Sequence, residues 1–162
     1  MKRPDMLARI VVANQAEARF YDAAGPRSRL RDAGRLANPE ARLHDRDLKS
    51  DRPGRVFTSA ASGSGRRGAV AHHATGGERQ PRKQVAIVFA RKIATELIAA
   101  KRNGQFDRLV LIVAPSFLGV LRKALPKSLQ SDVAAAVAKD LQDPCADEVR
   151  AHIPQQALPA AG

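Results

Sequence analysis

The chain has 162 residues, which is the length of about one globular domain. It carries 28 Lys and Arg against 16 Asp and Glu, so its formal net charge at pH 7 is +12. A single cysteine excludes a disulfide framework, and one cysteine with four histidines is too few soft ligands for a structural zinc site. We therefore predict neither a metal centre nor a cofactor.

The composition also bears on location and on binding. Arg9 and Asn14 interrupt the apolar stretch near the N-terminus, which is too short for a secretory signal or a membrane span of roughly 20 residues. We expect a cytoplasmic protein without a membrane span. Aromatic residues are only 4% of the chain, so base stacking cannot be the main means of holding a nucleic acid.

The first predicted element is a β-hairpin. A β-branched run occupies Ala8–Ala13, the turn Asn14-Gln15-Ala16-Glu17 follows, and Ala18–Tyr21 forms the second arm. Residues Leu30–Leu36 are a possible third strand, although charged residues and a glycine dilute the pattern.

Residues 24–83 have a different composition. They are rich in Gly, Pro, Ser, Asp and Arg without a sustained helical or strand periodicity, which predicts a long loop. The segment has 14 basic and 6 acidic residues, so it holds +8 of the net charge. Structureless connections of this length are commonly functional or disordered.

The second half of the chain is well patterned. Apolar residues at steps of three and four predict an amphipathic helix that starts near Pro81 and ends at Gly104. The apolar run Leu109–Val113 predicts a strand that is buried on both faces and central in a sheet. A second helix then runs from Phe117 to Leu125. This order of elements indicates a single α/β domain over residues 1–153, with a mixed sheet flanked by helices.

The remaining residues give weaker signals. Residues Asp132–Leu141 are ambiguous, because they lie in a short stretch between breakers, but their alanines favour a helix by propensity. A third helix is expected over Ala146–Ile153, and residues 154–162 are expected to form a flexible tail.

No catalytic motif stands in a convincing context. Gly63–Gly68 has the spacing of a dinucleotide fingerprint, but no helical pattern follows and no carboxylate lies where the ribose would need one. Ser64 lacks the strand-elbow-helix setting of a hydrolase nucleophile. The pair His72–His73 has no carboxylate cluster nearby and is interpreted as part of a polar loop. Ser116, after the buried strand, is expected to cap the next helix.

The basic residues of the predicted loop are the main candidates for binding, because guanidinium groups match phosphate oxygens. If about four of them met phosphates, the logarithm of the affinity should fall with the logarithm of salt concentration at a slope near −3. The candidates are Arg46, Lys49, Arg52, Arg55, Arg66, Arg67, Arg79, Arg82 and Lys83.

Several segments resemble the bacterial host attachment protein family. The run Asp47–Phe57 with the Gly/Ser stretch after it, the opening Val11–Tyr21, the helix segment Phe89–Ile93 and the strand and helix Leu109–Leu125 are all similar to this family. Lys139-Asp140-Leu141 is similar to its late segment, so that the likeness covers residues 9–153.

The resemblance implies a fold like the middle domain of archaeal and eukaryotic peptide-chain release factors, and it favours a strand over 132–138. In those factors a Gly-Gly-Gln tip precedes the long helix and places a water at the peptidyl-tRNA ester. Here Glu78 and Arg79 separate Gly76-Gly77 from Gln80, and an inserted carboxylate would oppose tRNA phosphates. The possible tip loop comprises His72, His73, Gly76, Gly77 and Gln80.

Three functional hypotheses remain open. The first is a cytoplasmic RNA- or ribosome-binding protein that affects attachment to host cells indirectly. The second is a protein-interaction module without nucleic acid. The third is a peptidyl-tRNA esterase of the release-factor type, and whether the chain is an enzyme stays open. The oligomeric state is not predicted.

Overall fold

The computed structural model describes residues 6–41 and 67–160, with the side chains of 67–81 excepted. The described residues form one mixed five-stranded sheet of order β3-β2-β1-β4-β5 with helices against it, which confirms the predicted α/β class. The strands are β1 (Ala8–Ala13), β2 (Glu17–Ala23), β3 (Arg31–Ala37), β4 (Arg108–Val113) and β5 (Val133–Ala138). The helices are α1 (Arg67–Arg102), α2 (Pro115–Ala124), α3 (Lys127–Asp132), α4 (Ala146–Ala151) and a 3-10 turn at Gln155–Ala157.

The predicted hairpin is confirmed. Strands β1 and β2 pair antiparallel, with Ala13 opposite Ala18. The carboxamide oxygen of Asn14 accepts the backbone N–H groups of Ala16 and Glu17 at 2.8 and 2.9 Å, which closes the turn. The possible third strand is also present, because β3 pairs antiparallel with β2.

The rest of the sheet is parallel. Strand β1 pairs in parallel with β4, and β4 pairs in parallel with β5. Long connections carry the chain from β3 to β4 and from β4 to β5, as parallel pairing requires, and they include α1, α2 and α3. The carboxyl ends of β1, β4 and β5 therefore lie at one edge of the sheet.

Both faces of the sheet are covered. Strand β4 is almost wholly buried, which confirms the interpretation of its continuous apolar run. On one face, alternate residues of β1 and β4 pack against α1, α2 and α3, and the rings of Phe89 and Phe117 lie 6.0 Å apart. On the other face, Ile10, Val110 and Ile112 pack against the C-terminal segment that carries Val149.

The end of α1 is fixed by its sequence. Gly104 has a φ of 69°, and its N–H donates to the carbonyl of Lys101 at 3.0 Å. The N–H of Gln105 donates to the carbonyl of Ala100 at 2.9 Å. These two bonds form a Schellman motif, in which glycine accommodates the left-handed conformation without strain. The predicted stop at Gly104 is confirmed.

The prediction that residues 24–83 are mostly loop is wrong for one stretch beyond the possible third strand. Residues 67–83 belong to α1, which starts well before Pro81. Gly76, Gly77 and Pro81 have low helix propensity, so this half of α1 gave no helical pattern. Residues 42–66 of the predicted loop lie outside the described residues.

Two further expectations are corrected near the C-terminus. Residues 133–138 form a strand as the resemblance implied, so the helix favoured by alanine propensity is wrong because pairing with β4 overrides a weak local preference. Residues 154–160 are not a free tail. Ala157 is 1% exposed and Leu158 is 5% exposed, because both pack on the second face of the sheet.

Candidate functional site

The carboxyl edge of the parallel strands is the usual place for a ligand in an open α/β sheet. Here the chain passes from β4 into α2 through Ala114, which is the N-cap residue, and Pro115 occupies the first helical turn. Ser116 is exposed, and no side chain caps α2. The expected capping role of Ser116 is therefore wrong, because the helix starts at Pro115 and Ser116 lies two positions after the N-cap residue.

A cluster of charged side chains lies near this edge on the second face of the sheet. The guanidinium of Arg19 donates to the carboxylate of Asp143 and lies 3.8 Å from a carboxylate oxygen of Glu17. Glu17 also accepts from Arg35 at 3.4 Å. The bond to Asp143 is the main cause that raises the pKa of Arg19, against an opposing effect of burial. A raised arginine pKa keeps this side chain charged at every physiological pH.

Arg19 ties the C-terminal segment to the hairpin. One of its NH groups is 3.5 Å from the carbonyl of Pro144, and its Nε is buried without a hydrogen-bond partner among the described residues. Because Glu17 and Asp143 together offset the charge of Arg19, this cluster stabilises the fold and offers little excess charge to a ligand.

A second charged cluster lies at the amino end of β1. Arg9 is 6% exposed, and its Nε donates to Asp22 at 2.5 Å. The Arg9 guanidinium carbon and the Lys101 ammonium each lie 5.5 Å from the ring centre of Phe106, which is the range of a cation–π contact. Lys101 also pairs with Asp132 at 3.0 Å and so links α1 to α3. The buried arginine and its paired carboxylate indicate a structural role.

The outer surface of the helical layer has a different character. The helices α1, α2 and α3 pack on one face of the sheet, and their sides that point away from the sheet carry many exposed basic residues. We call this surface the cationic helical face. Its exposed basic residues are Arg82, Lys83, Arg91, Lys92, Arg102, Arg122, Lys123 and Lys127.

The charge of the described chain is divided unevenly between the segment that carries α1, α2 and α3 and the segment that follows it. Residues 82–132, which include the cationic helical face, hold ten basic and three acidic side chains, a net charge of +7. Residues 133–160, which include the layer on the opposite face, hold two basic and four acidic side chains, a net charge of −2. Of the acidic residues in 82–132, Asp132 is already paired with Lys101.

The structure describes few of the basic residues proposed from the sequence. Arg82 and Lys83 are exposed on α1 and belong to the cationic helical face. Arg67 and Arg79 lie in the backbone of α1, and their side chains are outside the described residues. The other proposed residues lie within residues 42–66, which are outside the described residues: Arg46, Lys49, Arg52, Arg55 and Arg66. Their binding roles stay predictions.

Sequence analysis missed most of the cationic helical face. The helical pattern places Arg91 and Lys92 in a predicted amphipathic helix without singling them out for binding, and the same holds for Arg122 and Lys123 in the second helix. The signal that could have found them is the excess of basic over acidic residues at the non-core positions of the predicted helices. These basic residues can be recognised as one surface only when α1 and α2 are known to pack on the same face of the sheet.

The possible tip loop is not a loop. His72, His73, Gly76, Gly77 and Gln80 all lie within the backbone of α1. In a helix each residue rises about 1.5 Å along the axis, so the two glycines and Gln80 follow one another along α1. They do not form an exposed turn that could position a water molecule, and the expectation of a loop here is corrected.

The described part of the chain lacks two other features, a metal-binding cluster and a membrane-spanning helix. Within residues 6–41 and 82–160, whose side chains are described, no group of three or more His, Cys, Asp or Glu side chains could hold a metal ion. The helices described there include none that is both long enough and apolar enough to cross a membrane.

The structure thus defines an α/β protein with a mixed five-stranded sheet and a cationic helical layer on one side. Its sequence matches the family described as "Protein required for attachment to host cells" over residues 9–153. The chain belongs to this family, and the resemblance found from the sequence is confirmed for the same residues. A comparison with curated proteins finds no match.

Proposed function

We propose that this protein binds RNA, alone or within ribosomes, through the cationic helical face. The observation that supports the proposal is the uneven charge, with +7 over residues 82–132 and −2 over residues 133–160. A surface of one sign attracts a polyanion and raises its rate of association, and phosphate contacts supply most of the affinity for nucleic acids.

The contacts would be to the phosphate backbone and would carry little sequence information. Arg91, Lys92, Arg122 and Lys123 are exposed on helices that pack together, so their long side chains can follow a nucleic acid without a change in the fold. The large exposed apolar residues of the described chain are Met6 and Val88, and neither offers an aromatic ring for stacking. Salt-sensitive binding to many RNA sequences follows from this surface.

Family membership connects the protein with attachment to host cells. A basic surface for RNA supports an indirect connection, in which the protein acts in the cytoplasm on translation or on particular transcripts and so changes the production of surface components. The release-factor likeness is part of this proposal, since it suggests the same partner, the ribosome with its tRNA. Binding is proposed without hydrolysis, because Glu78 and Arg79 interrupt the Gly-Gly-Gln order.

The experiment is a fluorescence-anisotropy titration of labelled tRNA and of a labelled single-stranded RNA. The variant Arg91→Glu/Lys92→Glu reverses two charges at exposed positions of α1. We expect its dissociation constant to be larger by about tenfold or more, because two phosphate contacts become repulsive.

The matched control is Arg29→Glu/Arg31→Glu, which makes the same change of charge at two exposed residues next to and within β3. If RNA binds through the cationic helical face, this control should lose much less affinity than the α1 variant. Equal losses in the two variants would show attraction to net charge alone and would contradict the proposal. Absence of RNA binding, with capture of a protein partner from cell extracts instead, would favour the protein-interaction hypothesis.

A further inference from the structure

The two edges of the sheet are built differently. Edge strand β3 contains three charged residues, and its partner β2 has an irregularity between Phe20 and Tyr21. It also contains Gly34, at a φ of 118°. Charges and irregular backbone of this kind prevent a strand from pairing with another chain. Edge strand β5 has no charged residue and no glycine, because residues 133–138 are all valine and alanine. Its pairing with β4 has one irregularity at the start of the strand, opposite Leu109 and Val110, and residues 135–138 pair in regular register.

The free edge of β5 presents backbone hydrogen-bonding groups. The N–H of Lys139 donates to the carbonyl of Val113 in β4 at 2.9 Å. Because these groups alternate in direction along a strand, those of Ala136 and Ala138 point away from β4. Within the described chain no strand pairs with β5 on that side. Ala138 is exposed and Ala136 is half-buried, so small side chains flank these groups.

We propose that β5 pairs antiparallel with β5 of a second copy of this chain and forms a continuous ten-stranded sheet. A second copy fits for three reasons. An uncharged strand of small residues can pair with itself without like charges meeting on the strand, and twofold dimers are the commonest symmetric assembly. The residues that follow, 139–160, have a net charge of −2, so repulsion between two basic copies is weaker beside this edge than beside the cationic helical face.

The geometry of such a pair has a consequence for the charged surface. The twofold axis between antiparallel strands is perpendicular to the sheet, so each face of the sheet continues onto the same face of the second copy. The two cationic helical faces would therefore lie side by side and form one larger basic surface. The dimer does not depend on RNA binding, so each proposal can fail separately.

The test is sedimentation equilibrium of the full chain across a range of concentrations. We expect reversible association from 17.4 kDa to twice that mass. The variant Ala138→Lys places a charge on the edge of β5 and should weaken dimerisation at least tenfold. Its matched control is Ala37→Lys, which puts the same charge on an exposed alanine of β3 and should dimerise as the wild type does.

Hydrogen exchange shows whether β5 itself is the interface and whether the variants fold. The amide of Val137 faces β4 and should be protected at low and high protein concentration. The amides of Ala136 and Ala138 should become protected only at concentrations where the dimer forms. A wild-type chain that stays monomeric, or a dimer that Ala37→Lys disrupts and Ala138→Lys does not, would overturn the proposal.

Discussion

Side-chain contacts of Arg9 hold the amino end of β1 in place. Arg9 is a buried charge, and Asp22 pairs with it directly across the hairpin. The second Arg9 contact to this carboxylate is 3.0 Å, and Gln105 accepts from the same NH2 group at 3.3 Å. A buried arginine with several partners is tolerated because its desolvation is offset by these bonds and by the ring of Phe106.

The first prediction concerns this pair. Asp22→Ala leaves the guanidinium of Arg9 buried without its carboxylate and should lower the free energy of unfolding by about 3 kcal/mol. The double variant Arg9→Met/Asp22→Leu removes both charges and should lose less than Asp22→Ala alone. Urea denaturation followed by circular dichroism measures both values. A double variant that is less stable than the single one would contradict the structural role.

Sequence reasoning could reach part of this cluster. Arg9 was visible as a polar interruption of an apolar run, and the hairpin was correctly predicted. Once Ala13 is opposite Ala18, the antiparallel register places Arg9 opposite Asp22, so the pair follows from the turn. The contact with Phe106 could not be predicted, because it requires β4 to lie beside β1.

At the scale of secondary-structure elements, the pattern of apolar residues correctly predicted the helices and strands that bury a regular face. The second half of α1 has apolar residues at helical spacing, and its burial begins at Ala86 among the described side chains. A helix of this length is about 54 Å long, whereas a six-residue strand spans about 20 Å. Only part of α1 can therefore pack on the sheet, and the first half left no periodic signal.

Strand β5 was predicted wrongly by propensity because alanine favours helix when no partner strand is considered.

The second prediction compares two glycines of the helical layer. Gly104→Ala puts a side chain on a residue at a φ of 69° and should destabilise the protein by about 1 kcal/mol. Gly119 lies in the middle of α2, and a Cβ there would meet nothing within 4 Å. Gly119→Ala should therefore stabilise the protein by up to about 1 kcal/mol. Thermal unfolding of the two variants should show melting temperatures on opposite sides of the wild type, and equal shifts would contradict these roles.

At the scale of the whole molecule, the fold brings basic residues of three helices to one side of the sheet. Residues 24–83 hold +8 of the net charge, and residues 82–132, which overlap them at Arg82 and Lys83, hold +7. Basic residues that are spread over α1, α2 and α3 come to one side because the three helices share a face of the sheet. This assembly depends on tertiary packing, so composition and spacing could indicate a basic protein but not the surface that is basic.

The central claim is that the cationic helical face binds phosphates, and the salt dependence of RNA binding tests it most directly. For single-stranded RNA each phosphate contact contributes about 0.7 to the slope of log affinity against log salt. We expect a wild-type slope near −3, and a slope less steep by about 1.4 for Arg122→Gln/Lys123→Gln, which removes two exposed cations from α2. An affinity that does not change with salt, or a slope that the double substitution leaves unchanged, would contradict the claim.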